Sequence, residues 1–528
     1  MQTKSRRKEF SYETSDKTNS GKNSTSDKSN LGKKITRREA MSTAAKAAVG
    51  AVVVVVAGAG AYEYYTSQQA PTAMSTTSTA QSMSSAAATS ATTAVSQPFA
   101  GQSLRWLGPS FMIDDNIVGA YEKESGVNIV DTVTDLDTIR SKGLTGGAQE
   151  FDEFAGDSAI WLAWKAANVT KRFAPSNIAR WDPSTLYELW TNPDTVIGTN
   201  VPPPLGPTGP YIAKSVIWPH VWADTPGVAD PTDDYGQINK TLFMAPLCWN
   251  YDACLINPTY TPELLKNMDH DTVLSSWEIM YDRKYVGKSA ILDSVATVTN
   301  HVAAYLVANK LMSPPAVGCN DLQPSEMDTV VNFLIAQKKA GQFRTTWSDF
   351  MTLVNLYTTG EIWVSDAWQP VEYPVRAAGT PAYYIEPVEG FRSWLDGNAP
   401  TTGDTSDALV YDHINWQYGP WYAVYILVNG YHTPFFNGDE IKNAMGPERW
   451  GWVYGGQPTY TAFTPAQQPL FAPQTYTWSM TPGTPDTTNG NYKDCGSIQE
   501  RTSKVAVWGR VPHDLSYYIE AWSKFRAA

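Results

Sequence analysis

The stretch "IEPVEGFRSWLD" at residues 385–396 closes with an indole and a carboxylate two positions apart, Trp394 and Asp396. Side chains of a strand alternate between its faces, so this spacing puts both groups on one face. An indole brings an apolar ring with one N–H donor, and an ionised carboxylate only accepts hydrogen bonds. These are groups that hold a guest. Motifs for making and breaking bonds are scarce: there is no GxxxxGK phosphate loop, GxSxG elbow or HExxH zinc helix. The six histidines are scattered, and nothing singles out a pair among the many carboxylates. No cofactor and no metal are expected, and an enzyme is the weaker reading.

The elements around that stretch alternate between strand and helix, with no internal repeat. "SLRWLG" from Ser103 reads as a strand, "DDNIVGAYEKESG" as a helix closed by Gly126, and "VNIVDTV" as a second strand. Further helices are expected over Asp137–Leu144, Ser158–Phe173 and about Val295–Lys310. "SEMDTVVNFLIAQKKAG" puts Met327, Val330, Val331, Leu334 and Ile335 on one helical face. Strand, helix, strand at the start of a domain predicts a mainly parallel α/β sheet. Residues 191–235 are rich in proline without periodicity and read as a surface insertion.

A chain of 528 residues, 42% apolar and 17% charged, exceeds one ordinary core and predicts about two globular domains plus extensions. Residues 1–38 carry a net charge of +7, which leaves −19 for the remainder of a chain whose total is −12. So acidic a globular part argues against a nucleic-acid partner. Twenty tryptophans are more than a core of this size requires, so some are expected to line a binding surface while most pack between layers.

The amino-terminal end reads as an export device. Residues 1–38 form a basic cytoplasmic segment, and residues 39–65 a signal or membrane-anchor helix, apolar from Ala47 to Ala61 and interrupted only by Lys46 before that. Thr36-Arg37-Arg38-Glu39-Ala40-Met41 resembles a twin-arginine signal. Residues 66–100 are Ser, Thr and Ala with little to bury, the composition of a disordered stalk, and a stalk favours an uncleaved anchor over a cleaved signal. The expected location is extracytoplasmic, at the cell surface or in the periplasm, tethered to the membrane through the amino-terminal helix. In that oxidising space the four cysteines, Cys248, Cys254, Cys319 and Cys495, suggest disulfides in any of three complete pairings, with Cys248–Cys254 locally plausible.

Three stretches carry a family resemblance. "APLCWNYDACLINP", "SWEIMYDRKYVGKSAILD" and "GEIWVSDAWQPVEYPVRAAGTPAYYIEPVEGFRSWLDG" resemble extracellular solute-binding proteins of ABC importers, in the group around the spermidine/putrescine receptor. The order and spacing of Ser276-Trp277, Lys284-Tyr285-Val286-Gly287-Lys288 and Glu389-Gly390 to Asp396 carry it most specifically. The resemblance implies a two-lobed periplasmic-binding-protein fold of type II, a Venus-flytrap with crossing hinge strands. Lobe I would take residues 101–246 and 395–450, and lobe II residues 247–394 and 451–528. It also implies a small polar solute held between the lobes, with a polyamine-like amine as one candidate, and delivery to an ABC permease with its ATPase.

Carried over by position, the resemblance gives Trp394 a stacking role and Asp396 a hydrogen bond or ion pair to a cationic group. A cation over an indole gains roughly 0.5–2 kcal/mol, and a charge-assisted hydrogen bond about 1.5–3 kcal/mol. Trp368 is a second cleft aromatic by the same likeness, and Trp161 and Trp164 lie where the first lobe offers one. Trp249 and Asp252 sit on the first crossing. Where polyamine receptors carry two carboxylates this chain has Ser294 and Thr297, with Asp293 adjacent. The competing reading is a surface carbohydrate-binding or structural protein, suggested by the tryptophans, the stalk and the insertions.

Overall fold

Strands begin where β-branched and aromatic residues gather, and fourteen form among the residues that the computed structural model describes: 97–201, 211–222, 241–269, 272–403, 406–435, 439–446 and 498–528. In chain order they are β1 (Ser103–Gly108), β2 (Asn128–Val133), β3 (Glu153–Asp157), β4 (Val196–Ile197), β5 (Tyr211–Ile212), β6 (Ala245–Ile256) and β7 (Met268–Asp269). Then follow β8 (Thr272–Ser275), β9 (Ser289–Leu292), β10 (Phe343–Trp347), β11 (Val364–Trp368), β12 (Tyr383–Pro387), β13 (Phe391–Pro400) and β14 (Val505–Trp508).

One curled sheet runs β10-β9-β11-β6-β13-β3-β1-β2, with β14 added to β13 and β12 to β6. The pairs β1/β2, β1/β3, β9/β10 and β9/β11 are parallel, as the strand-helix alternation predicts. The central strands depart from this. β13 is antiparallel to both β3 and β6, and β6 is antiparallel to β11. β6 and β13 are the longest strands, 12 and 10 residues, and every residue of both is buried. β6 pairs with β13 over its first part and with β11 over Asp252–Ile256, while β13 pairs with β14 at its start and with β3 at its end. Both strands therefore belong to two groups of strands at once.

These strands lie unusually close at one point. The β6/β13 register shifts between Asp396 and Gly397, and a Cβ on Gly397 would stand 1.9 Å from Met244 Sδ and 2.1 Å from the Ala245 carbonyl oxygen. Backbone cannot yield as a side chain can, so Gly397→Ala is expected to destabilise the protein by about 1–3 kcal/mol or more, read by urea unfolding.

Helix ends follow local chemistry. Asp114 accepts from the Asn116 and Ile117 N–H groups to start helix Asp115–Ser125, and Gly126 at φ 71° closes it. Helix Pro324–Lys339 starts with a capping box between Gln323 and Glu326 and buries Met327, Val330, Val331 and Leu334, with Ile335 partly buried. Helix Val295–Ala308 is buried almost throughout.

Several expectations are corrected. The helix from Ser158 ends at Ala167 and not at Phe173, because Asn168 turns out of it at φ 52°. The described part of 191–235 is no surface insertion: Ile197, Trp218 and Trp222 are fully buried, and the two indoles donate to the Leu189 and Trp190 carbonyls at 3.0 Å. Proline erased the periodicity there without removing the apolar anchors. Among the described residues no disulfide forms: Cys254 and Cys319 are free, these two and Cys248 are buried, and Cys495 lies outside the described residues. Cys248 and Cys254 sit six residues apart on the extended β6, about 20 Å at strand rise, whereas a disulfide needs Cα atoms within roughly 7 Å. Among the described residues no helix is long and apolar enough to cross a membrane, and the basic segment, the anchor and all but the end of the stalk lie outside them. Of the seventeen tryptophans among the described residues eleven are fully buried, so core packing accounts for most of them.

Candidate functional site

Period-two alternation on three adjacent strands assembles the candidate site. On β13 it presents Arg392, Trp394 and Asp396; on β6, opposite them, stand Asp252, Asn250 and Cys248. β3 ends with Asp157 directly across from Asp396, and β11 ends with Trp368 across from Asp252. The expected pairing of Trp394 and Asp396 on one face thus gains charged neighbours from two other strands, Asp252 of β6 and Asp157 of β3, with Trp368 of β11 beside Asp252.

Asp252 is the pivot. Its Oδ2 accepts from Arg392 Nη1 at 2.6 Å and its Oδ1 from the Trp394 indole N–H at 2.8 Å, fixing both side chains. Burial pushes the Asp252 carboxyl above its ordinary range, and the Arg392 charge with these hydrogen bonds opposes that. Arg392 Nη2 lies 3.9 Å from Asp157 Oδ2. A Cβ on Gly509 would fall 2.6 Å from that same Nη2 and 3.3 Å from Ser158 Oγ, so only a glycine admits the guanidinium between β13 and the residue after β14.

Asp396 is fully buried, and neither of its carboxylate oxygens has a hydrogen-bond partner. Burial first, then the facing Asp157, raise its carboxyl well above the usual range; Arg392 pulls the other way. Ser158 Oγ, Arg392 Nε and Nη2, and Trp508 Nε1 are also buried without hydrogen-bond partners. Trp394 meets the edges of Phe111 and Tyr431 at ring-centroid distances of 5.6 and 6.1 Å, and those two stack at 5.2 Å. Three aromatics therefore pack beside the acidic pair.

Half of the expected residues come together: Trp394, Asp396, Asp252 and, on the flank, Trp368, which is half-buried against Trp347. The other four are engaged elsewhere. Trp161 and Trp164 donate to the Gly156 and Arg140 carbonyls and pack on each other in the core. Trp249 donates to the Thr433 carbonyl among Tyr187, Trp190, Tyr251 and His432. Asp293 accepts from the Trp522 indole and from Arg526, both at 2.8 Å, which ties it to the carboxy-terminal helix. Ser294 donates to Thr297 at 3.2 Å. Sequence reading missed Asp157, Ser158, Phe111, Tyr431 and Arg392; the last stands two residues before Trp394, within reach of the same period-two rule.

Beneath Trp368, His301 stacks flat on Trp277 at 4.3 Å, and its Nε2 is 3.7 Å from Asp366 Oδ2. Burial is the leading cause for both groups, lowering His301 from 6.5 to about 3 and raising Asp366 from 3.8 to about 7, so burial opposes an ion pair here. The linkage signs oppose. Asp366 contributes stability that is lost as pH rises from 3.8 to about 7, and His301 contributes stability that is lost as pH falls from 6.5 to about 3. Asp366→Asn is therefore expected to gain on the wild type by up to about 4 kcal/mol between pH 4 and 8, and His301→Gln to lose ground over the same interval, in urea unfolding.

A scan against protein-family models finds no match, and a search of curated proteins finds none. Solved structures do match. The TpPotD lipoprotein of Treponema pallidum aligns with a TM-score of 0.50 at 12% identity, over 81% of this chain and 100% of that one. The chain shares the fold of this lipoprotein. The spermidine/putrescine substrate-binding protein PotD of Streptococcus pneumoniae (TM-score 0.44, 12% identity, 81% of this chain and 99% of that one) is also similar. So is a structure described as a spermidine/putrescine ABC transporter from Listeria monocytogenes (0.49, 13%, 80% and 99%). In this chain β6 and β13 are the strands shared by the two strand groups, and the acidic and aromatic cluster lies on them.

Proposed function

We propose that the protein is the extracytoplasmic receptor of an ABC importer and captures a small polar solute at the Asp157, Asp252, Arg392, Trp394 and Asp396 cluster, for delivery to a permease and its ATPase. The observation that carries this is the buried, partnerless Asp396 carboxylate beside three packed aromatics, on a strand shared by both strand groups. The β1–β3 group and the β9–β11 group serve as two lobes. The solute touches both when they close, so its binding free energy shifts the population toward the closed form. Partnerless carboxylate oxygens favour a solute with N–H donors, an amine before a sugar. Thermal shift of the full chain with a panel of polyamines, amino acids, carboxylic acids and oligosaccharides tests the reading: one class should stabilise the wild type, and Trp394→Ala should lose that response. A response that survives in Trp394→Ala removes the site assignment.

A further inference from the structure

A second place for a small molecule opens beside the segment that leads into β1: a cavity of about 320 Å³ that shares no residue with the cluster on β6 and β13. One wall is a face of helix Asp407–Gln417, where Ala408, Tyr411, Asp412 and Asn415 recur at the i, i+3, i+4, i+7 spacing of a single helical stripe. The other side of that helix, with Leu409, Val410, His413 and Ile414, is buried in the core, so this stripe is the side left outward. Across from it stand Asn177, at the end of the turn Pro175–Asn177, and Ala179, and the half-buried Phe99 ring completes the lining. Three contacts hold the walls in place. Lys171 Nζ pairs with Asp407 at 2.6 Å, the Arg180 backbone N–H donates to Asn415 Oδ1 at 2.8 Å, and the Tyr411 ring packs on Phe173 at 5.6 Å.

The polar groups of this lining are only half used. The Tyr121 hydroxyl donates to Asp412 Oδ2 at 2.9 Å, which leaves Oδ1 as an acceptor with no partner among the described residues. The Arg180 N–H must meet an oxygen, so the Asn415 amide is oriented with its NH2 turned away from that bond and left as a donor. Asn177 donates to the Tyr411 hydroxyl, which leaves the Asn177 side-chain oxygen as a second acceptor and the Tyr411 O–H as a second donor. Acceptors and donors therefore stand in equal number around Phe99 and the methyls of Ala179 and Ala408. We propose that this cavity holds one ring of a neutral sugar. A hydroxyl both donates and accepts, so neighbouring hydroxyls match a mixed lining. An ammonium brings donors only and leaves the Asn415 NH2 and the Tyr411 O–H facing like groups; a carboxylate brings acceptors only and meets Asp412. The C–H face of the ring takes Phe99 and the two methyls out of water. The volume is at the small end of the roughly 300–1,000 Å³ of ligand sites, which suits a single ring. This goes beyond the receptor reading, since it gives the protein a second ligand outside the cluster.

The full chain is titrated calorimetrically with methyl α-D-glucopyranoside, methyl β-D-galactopyranoside, ethanolamine, 1,4-diaminobutane and succinate. One of the glycosides is expected to bind, and to bind Asn415→Asp about tenfold more weakly, because that variant keeps the oxygen that the Arg180 N–H needs and removes the donor. Phe99→Leu keeps apolar bulk without the flat ring and should weaken the same glycoside, which gives a second reading if Asn415→Asp fails to fold. Trp394→Ala should leave glycoside binding unchanged, since the cavity and the cluster share no residue. A glycoside response that Trp394→Ala keeps and Asn415→Asp loses belongs to the cavity and leaves the assignment of the cluster untouched. Equal affinity in the wild type and both cavity variants overturns the inference. So does a glycoside response lost in Trp394→Ala, which would seat the sugar in the cluster. Binding of neither glycoside overturns it as well, and a response to an amine or to succinate that depends on Trp394 would then leave the receptor reading standing alone.

Discussion

Asp396→Asn is expected to make the unliganded protein more stable while lowering its affinity for an amine about 100-fold. The two effects share one cause. Asp396 is a fully buried carboxyl with no hydrogen-bond partner, opposite another carboxyl. An amide in its place never has to ionise, so a gain of about 1–3 kcal/mol is expected. Because the raised carboxyl contributes stability that is lost as pH climbs above the ordinary carboxylate range, the gain should grow with pH. Binding moves the other way, since the ammonium loses a charged acceptor in a dry setting, a loss of about 1.5–3 kcal/mol. Urea unfolding at pH 5 and 8 beside calorimetry reads both effects. A variant that is less stable than wild type at pH 8 and binds amines unchanged contradicts the assignment.

Asp252→Ala should be the most damaging single change in the cluster. Arg392 is 2% exposed, and Asp252 is the partner that holds its Nη1. Removing one member of a buried ion pair strands the other charge, at about 3–5 kcal/mol. The Trp394 indole loses its acceptor in the same step. Replacing both charges, Asp252→Ala with Arg392→Met, should recover most of the stability and none of the binding, because the stranded charge is gone while the positioning of Trp394 is not restored. Equal destabilisation in the single and the double variant would mean that packing, and not charge, holds this corner together.

Much of the fold was legible. Caps such as Asp114 and Gly126, the amphipathic face of Pro324–Lys339 and the parallel start over β1–β3 follow from local chemistry. The Trp394-x-Asp396 spacing placed both side chains on one face for the same reason: alternation along a strand is local. What stayed hidden was set by pairing between distant strands. Asp157 matters because β3 lies antiparallel to β13 across more than two hundred residues of chain, and no local pattern records that register. Trp161 and Trp164 misled because a tryptophan looks alike in a core or in a cleft; backbone carbonyls that accept their N–H groups decided between the two. Asp293 was drawn away by Arg526, some 233 residues later in the chain. The proline-rich 191–235 region hid two core indoles, because proline masks periodicity without changing where apolar surface goes.

The most direct test is the location of a bound amine in a crystal structure of the protein with a primary amine selected from the calorimetric panel. The account predicts its nitrogen within hydrogen-bonding distance of both Asp157 and Asp396, with its carbon chain against Trp394. An amine bound away from β13, or one that reaches neither carboxylate, would contradict it.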